Sequence, residues 1–220
     1  MQFKLHTTDL SPFGQRAKIA LRAKGLLADT ELNDTFGGTD PLGELAPMRQ
    51  IPILEHAGFV LPESQTIIEY LDDIAPEPPF LPADATARAT ARLLSRIADL
   101  YIAPHFLTLI VGMRGPARPD DMTAGWEKLG KGLGFAETYL KGESTYAAGN
   151  SLSVADLALA PFLFYVPKLA EWHNLPPLQN TPVKCKAYLD SIQNDPHIGV
   201  AFGEMDAAFQ ARIAQLRGSV

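Results

Sequence analysis

The chain is poor in cysteine, in clustered positive charge and in long apolar runs. One cysteine, Cys185, in 220 residues excludes a disulfide framework and a cysteine-rich zinc site. The five histidines, His6, His56, His105, His173 and His197, are widely spaced and match no metal motif, so no metal is expected. The start, MQFKLHTTDL, has no apolar core of signal-peptide length. No stretch approaches the roughly 18 apolar residues of a membrane span. A reducing, cytoplasmic compartment is expected, with no membrane partner. The 19 lysines and arginines are outnumbered by 25 acids, for a net charge of −6, and they are scattered. That argues against nucleic acid as a partner, since phosphate binders gather their cations into a patch. A small basic pocket for an anionic ligand stays open.

What is present is ordinary globular material. A content of 46% hydrophobic and 20% charged residues can bury a core, and the length suits one large domain or two small ones. Met1–Thr7 alternates with period two, Phe3 and Leu5 on one side, as a strand does. Ser11-Pro12 opens a helix with Phe13, Ala17, Ala20 and Leu21 at helical spacing, ended by Gly25. Glu31–Thr35 reads as a second strand, and Thr39-Asp40-Pro41 as the cap of a short helix. Ile51–Glu55 and Phe59–Leu61 flank a turn as a hairpin. Glu63–Asp73 carries Ile67, Ile68 and Leu71 on one helical face. The order is βαβαββα.

Four prolines between Ala75 and Pro82 preclude regular structure and mark a boundary. Beyond it the pattern is helical throughout. Asp84 caps a long segment towards Met113, which Pro104 should kink. Asp120–Lys141 is a glycine-weakened helix, and Ser153–Lys168, Thr181–Asn194 and Glu204–Arg217 supply three more. Ser153 and Asp156 have capping-box spacing before an apolar run, a folding signal and not a catalytic one.

Three places carry candidate chemistry, and each has a plain structural alternative. Pro52 in an apolar strand fits a cis Ile51–Pro52 bond that presents the Ile51 backbone to an extended peptide ligand, or an edge-strand proline. Glu63-Ser64 opens a helix whose N–H groups form an anion site, with Glu63 ready for an ammonium, or is simply a cap. Ser11 can donate to a thiolate while the helix dipole favours that charge, or is also a cap. A model thiol titrates at about 8.5, and each unit of lowering needs roughly 1.4 kcal/mol. One or two charge-assisted hydrogen bonds can supply that.

Together, Ser11-Pro12-Phe13-Gly14-Gln15-Arg16, Gln50-Ile51-Pro52-Ile53-Leu54 and Pro62-Glu63-Ser64-Gln65-Thr66-Ile67-Ile68 resemble the cytosolic glutathione transferases over essentially the whole chain. The resemblance implies a thioredoxin-like glutathione-binding domain at 1–77, a linker at 78–83 and an all-helical domain at 84–220 that contributes an electrophile pocket. It implies that Ser11 activates the thiol of glutathione, the cosubstrate. Ile51 and Pro52 would hold the cysteinyl part, Glu63 and Ser64 the γ-glutamyl end, and Gln50 the glycine carboxylate. Phe13, Ile102, Phe106, Leu109 and Met113 are candidates for the hydrophobic substrate pocket, although the last four also read as a core stripe. Arg114 could meet an acidic substrate or face solvent. The style is that of the serine-type classes tau, theta and zeta. Ser11-Pro12-Phe13 departs from the zeta Ser-Ser-Cys start, and the absence of cysteine at position 11 argues against thiol–disulfide chemistry. The expected activity is transfer of glutathione to a hydrophobic electrophile by a homodimer. The alternatives are a non-catalytic binding or regulatory protein and a glutathione-dependent isomerase or peroxidase.

Overall fold

The computed structural model describes residues 2–35, 42–113, 115, 118–141, 144–178 and 182–218. The expected cap at Thr39-Asp40-Pro41 and the side chain of Arg114 lie outside the described residues. Two compact units divide the chain: Met1–Phe80 with Pro196–Val220, and Leu81–Asp195.

The first unit follows the order read from the sequence: β1 (Phe3–Thr7), α1 (Pro12–Ala23), β2 (Thr30–Asp34), α2 (Leu42–Leu45), β3 (Ile53–His56), β4 (Phe59–Pro62) and α3 (Ser64–Ile74). The sheet order is β2-β1-β3-β4. The β1–β2 pair is parallel and the other two pairs are antiparallel. Leu5 lies opposite Leu32 and Leu54 in register and is fully buried. Helix α3 packs on α1 and on the β3–β4 hairpin, burying Ile67, Ile68 and Leu71 with Ile19, Ala20 and Leu21. Removing these apolar surfaces from water is the main term holding the unit together. The last helix, α9 (Pro196–Gly218), packs on α1 and belongs to this unit, although it follows the helical unit in sequence.

The hairpin turn places Ala57 at φ 52° and Gly58 at φ 81°. Both central residues are left-handed, as a two-residue type I′ turn requires. Glycine adopts this backbone freely, but alanine brings its Cβ too near the following carbonyl. Ala57→Asn is expected to stabilise the protein by about 0.5–1 kcal/mol, read as a raised urea midpoint at constant slope. An unchanged midpoint would mean that Ala57 carries no strain.

The second unit is helical: α4 (Ala85–Ile97), α5 (Ala103–Gly112), α6 (Pro119–Tyr139), α7 (Val154–Trp172) and α8 (Val183–Ile192). Its only strand-like feature among the described residues is an isolated bridge between Tyr146 and Gly149. Asp84 caps α4, its carboxylate accepting the Ala87 N–H at 2.7 Å. The break expected at Pro104 takes a specific form. Residues Ala98–Ile102 widen into a π turn, in which the Ala103 N–H reaches the Ala98 carbonyl. The wider turn relieves the clash that the Pro104 ring would otherwise make with the carbonyl of Leu100, four residues back. The run Ala85–Gly112 is long and apolar enough to cross a membrane by length and composition alone. This corrects the expectation that no such stretch exists. Its Ala91, Leu94, Ile102, Phe106 and Leu109 are buried in the core of the unit, so the apolar content is accounted for by helix packing.

Candidate functional site

The topology brings the three candidate motifs to one end of the sheet. Because β3 runs antiparallel to both β1 and β4, the C-terminus of β1, the N-terminus of β3 and the C-terminus of β4 share an edge. His6 pairs with Ile53, and Ile53 with Pro62. The loop to Ser11, the Ile51–Pro52 bond and Glu63-Ser64 therefore all leave the sheet at that end. The Ile51–Pro52 bond is cis. Pro52 is buried, Ile51 half-buried, and Gln50 exposed.

Ser11 caps α1. Its Oγ accepts the Gly14 N–H at 3.1 Å, and its own N–H is held by the Thr8 carbonyl at 3.0 Å. The side chain is half-buried, so the hydroxyl proton remains free to donate outward while the lone pair serves the cap. Gly14 is required here, because a Cβ would collide with the Thr7 hydroxyl and crowd the Ser11 side chain. That Thr7 Oγ1 is buried without a hydrogen-bond partner among the described residues.

Ser64 begins α3 and is 95% buried, at 5% exposure. The preceding Glu63 is exposed and sits at φ 71°. A non-glycine residue held there costs of order 1–3 kcal/mol and is found where a local geometry is over-determined by its surroundings. Its carboxylate makes no cap bond to α3, which leaves the first N–H groups of the helix unsatisfied by that side chain.

Sequence reasoning missed Arg16. Its side chain is fully buried, its Nη1 lies 3.5 Å from Ser64 Oγ, and its guanidinium stands 5.1 Å from the Phe13 ring centroid. A buried cation between the starts of α1 and α3 adds to the positive ends of both helices. The signal was present: Arg16 is three and four residues before Ile19 and Ala20, on the buried face of the helix. Read by type, an arginine looks like a solvated charge; read by position, it is interior.

Of the residues expected to line a substrate pocket, Phe13 is half-buried in the first unit. Ile102, Phe106, Leu109 and Met113 lie within the core of the second, at 9% exposure or less. Phe106 packs edge-on against Phe162. The open face of α5 instead borders a groove of about 820 Å³ with α6, lined by Leu107, Val111, Met122, His105, Arg118 and Lys128 among others. Burial, with the Lys128 charge second, lowers the His105 pKa. Cys185 is buried, and burial followed by the Glu137 carboxylate pushes its thiol well up. It is a poor nucleophile by placement. No group of three His, Cys, Asp or Glu side chains among the described residues is arranged to hold a metal ion.

A thioredoxin-like unit with a helix-capping serine, a helix-opening serine and a cis-proline at one sheet end, followed by an all-helical unit, is the architecture of the glutathione transferases. Comparison with known proteins agrees. The family pattern for the glutathione S-transferase N-terminal domain matches residues 5–79, and that for the C-terminal domain matches residues 97–172. Glutathione S-transferase 1 of Dianthus caryophyllus is 32% identical over 166 residues, spanning 73% of this chain and 75% of that one. A stringent starvation protein A homolog of Coxiella burnetii is 31% identical over 166 residues, spanning 75% and 76%. The crystal structure of rice GST1 in complex with glutathione superposes with a TM-score of 0.75 at 25% identity, over 97% of each chain. The chain belongs to the glutathione S-transferase family.

Proposed function

We propose that the protein is a glutathione transferase in which the Ser11 hydroxyl stabilises the thiolate of bound glutathione for attack on a hydrophobic electrophile. The observation that carries this reading is the convergence of Ser11, the cis Ile51–Pro52 bond and Ser64 at one sheet end. The cysteinyl backbone of glutathione would pair with Ile51 as an added strand does. Its γ-glutamyl carboxylate would take the α3 N-terminus with the Ser64 hydroxyl, and its ammonium would meet Glu63. Gln50, exposed beside them, would reach the glycine carboxylate. The thiol proton leaves to solvent, the sulfur forms a bond to the electrophilic carbon, and the displaced electron pair departs with the leaving group or rests on the acceptor. Catalysis comes from supplying thiolate and from holding two reactants together.

The lone cysteine, buried with its thiol pushed up, suits a reducing cytoplasm. A homodimer is part of the reading. Tyr101 and Phe135 meet edge-on, and with Tyr139 they expose apolar surface that a second copy would cover.

The test is a titration of the protein with glutathione across pH, following thiolate absorbance in the ultraviolet. A thiolate signal well below the pH at which free glutathione ionises supports both binding and activation. Binding without that signal favours the rival reading, a non-catalytic binding or regulatory protein. No binding would limit the likeness to the fold. Ser64→Ala is expected to weaken glutathione binding about 10- to 150-fold, the loss of one hydrogen bond to a charged group. Unchanged affinity by titration calorimetry would remove Ser64 from the γ-glutamyl site.

A further inference from the structure

The turn that carries Ser11 is gripped from behind by a charge cluster reaching the C-terminal helix. Asp9 lies two residues before Ser11. Its Oδ1 accepts from Lys18 Nζ at 2.5 Å and from Gln15 Nε2 at 3.1 Å. The same Lys18 Nζ stands 3.0 Å from Glu204 Oε2 on α9, and the other Glu204 oxygen meets Arg22 Nη2 at 2.8 Å. The Lys18 side chain is 6% exposed, against 40% for Asp9 and 27% for Glu204. Two carboxylates and two cations thus form a neutral cluster with a buried ammonium at its centre.

A surface pair of this kind would contribute little and hold nothing in place. Burial of Lys18 changes that, because its charge is shielded from water and its two carboxylates, one hydrogen-bonded and one an ion-pair partner, cannot be replaced cheaply. The β1–α1 turn is also held by the Ser11 N–H to the Thr8 carbonyl, the Gln15 N–H to the Ser11 carbonyl at 2.9 Å, the Gly14 N–H to Ser11 Oγ, and the Gln15 side chain to the Asp9 carbonyl at 3.4 Å. The Asp9 carboxylate is a side-chain anchor between the strand and the Ser11 cap, and Lys18 holds it in place. Through Glu204, the same ammonium is tied to a helix nearly two hundred residues away in sequence.

We propose that Lys18 and Glu204 are positioning residues for Ser11: the C-terminal helix sets the direction of the Ser11 hydroxyl through the chain Glu204–Lys18–Asp9. The inference rests on the Ser11 reading above. Neither side chain touches the ligand in this account. Hydroxyl aim matters because a charge-assisted hydrogen bond weakens steeply as its angle closes.

The experiment measures the ionisation of bound glutathione and the separate kcat and KM in Lys18→Met, Lys18→Arg and Glu204→Gln, each alone and combined with Ser11→Ala. Lys18→Met is expected to raise the ionisation pH of the bound thiol by about one unit, about tenfold less thiolate at lower pH. The rate constant kcat falls to match, with KM for glutathione nearly constant. Lys18→Arg restores most of the loss, and Glu204→Gln shows a smaller loss in the same direction. Glu204→Gln also serves if Lys18→Met folds poorly. In the Ser11→Ala background neither substitution should move the thiol further.

If Ser11→Ala shifts the thiol and the Lys18 and Glu204 variants do not, the positioning chain is overturned while the Ser11 reading stands. If Ser11→Ala itself leaves the thiol unmoved, the Ser11 reading has failed instead. Equal shifts from Lys18→Met with and without Ser11 would mean that the lysine acts by its charge alone, which also overturns the proposal. A loss of thermal stability with unchanged kcat and thiol ionisation would reduce the cluster to a structural tie.

Discussion

Ser11→Ala is expected to lower turnover by about 10- to 1,000-fold, the range for losing one donor to a charge that the protein stabilises, with glutathione affinity nearly unchanged. The serine has two roles in the proposed mechanism, and Ser11→Ala removes both. Its lone pair accepts the Gly14 N–H in the cap of α1, and its proton is available to the thiolate. Loss of the cap costs about 1 kcal/mol of stability and leaves the fold intact. Loss of the donor raises the free energy of the thiolate and of the transition state that inherits its charge. Glutathione affinity should hold because the proposed binding mode puts its charged ends at α3 and at Gln50, away from residue 11. Ser11→Thr keeps a hydroxyl at the cap and should recover part of the rate. Steady-state kinetics with any accepted electrophile reads the effect, and equal turnover in Ser11→Ala would remove the serine from the mechanism.

Asp156→Ala should destabilise the helical unit by about 3–5 kcal/mol, a sum of several buried donors each left unpaired at roughly 1 kcal/mol or more. The carboxylate is fully buried at the start of α7 and accepts four hydrogen bonds. One oxygen takes the Ala147 N–H at 2.8 Å and the Tyr188 hydroxyl at 3.0 Å; the other takes the Ser153 N–H and hydroxyl, both at 2.8 Å. It therefore ties the 147 turn, the α7 cap and α8 into one knot. Asp156→Asn keeps the shape but turns an amide donor towards other donors, and should lose nearly as much.

The carboxylate also gives stability a pH signature. Burial, outweighing its four donors, raises the Asp156 pKa from 3.8 to about 6. Between those values the folded protein holds the proton and the unfolded chain does not. The contribution of this group to stability therefore falls as pH rises from 3.8 to about 6 and is level above that. The stability difference between parent and Asp156→Asn should accordingly widen as pH drops through that window. Urea midpoints measured across it are the check; a constant difference would show that Asp156 titrates alike in both states.

Much of the local structure was legible because each signal was a short-range one. Proline at the first helical turn after Ser11, period-two alternation in β1, and the Ser153/Asp156 spacing act within a few residues. Their structural consequences appear where the sequence placed them. In the sequence Pro104 implies a kink, and only the packed helix shows that the chain answers with a π turn at residues 98–102. The glycines of α6, which by propensity only weaken it, prove useful in packing: a Cβ at Gly132 would strike the carbonyl of Tyr101 in that turn. Propensity scores a residue against solvent, whereas a close helix crossing scores it against its neighbour.

By itself the sequence determined the element order and the helical second half, since these follow from backbone chemistry and periodicity along the chain; the three motifs of the candidate site are singled out by their resemblance to the family. Only the tertiary structure decided which side chains stand around those motifs. Arg16 is interior beside Ser64, and Ile102, Phe106, Leu109 and Met113 belong to the helical core. Lys18 joins Asp9 to Glu204, and α9 returns to pack on α1. The reason is physical: a charged side chain has no periodicity of its own, and its partner is chosen by distance in space, which residue number does not encode.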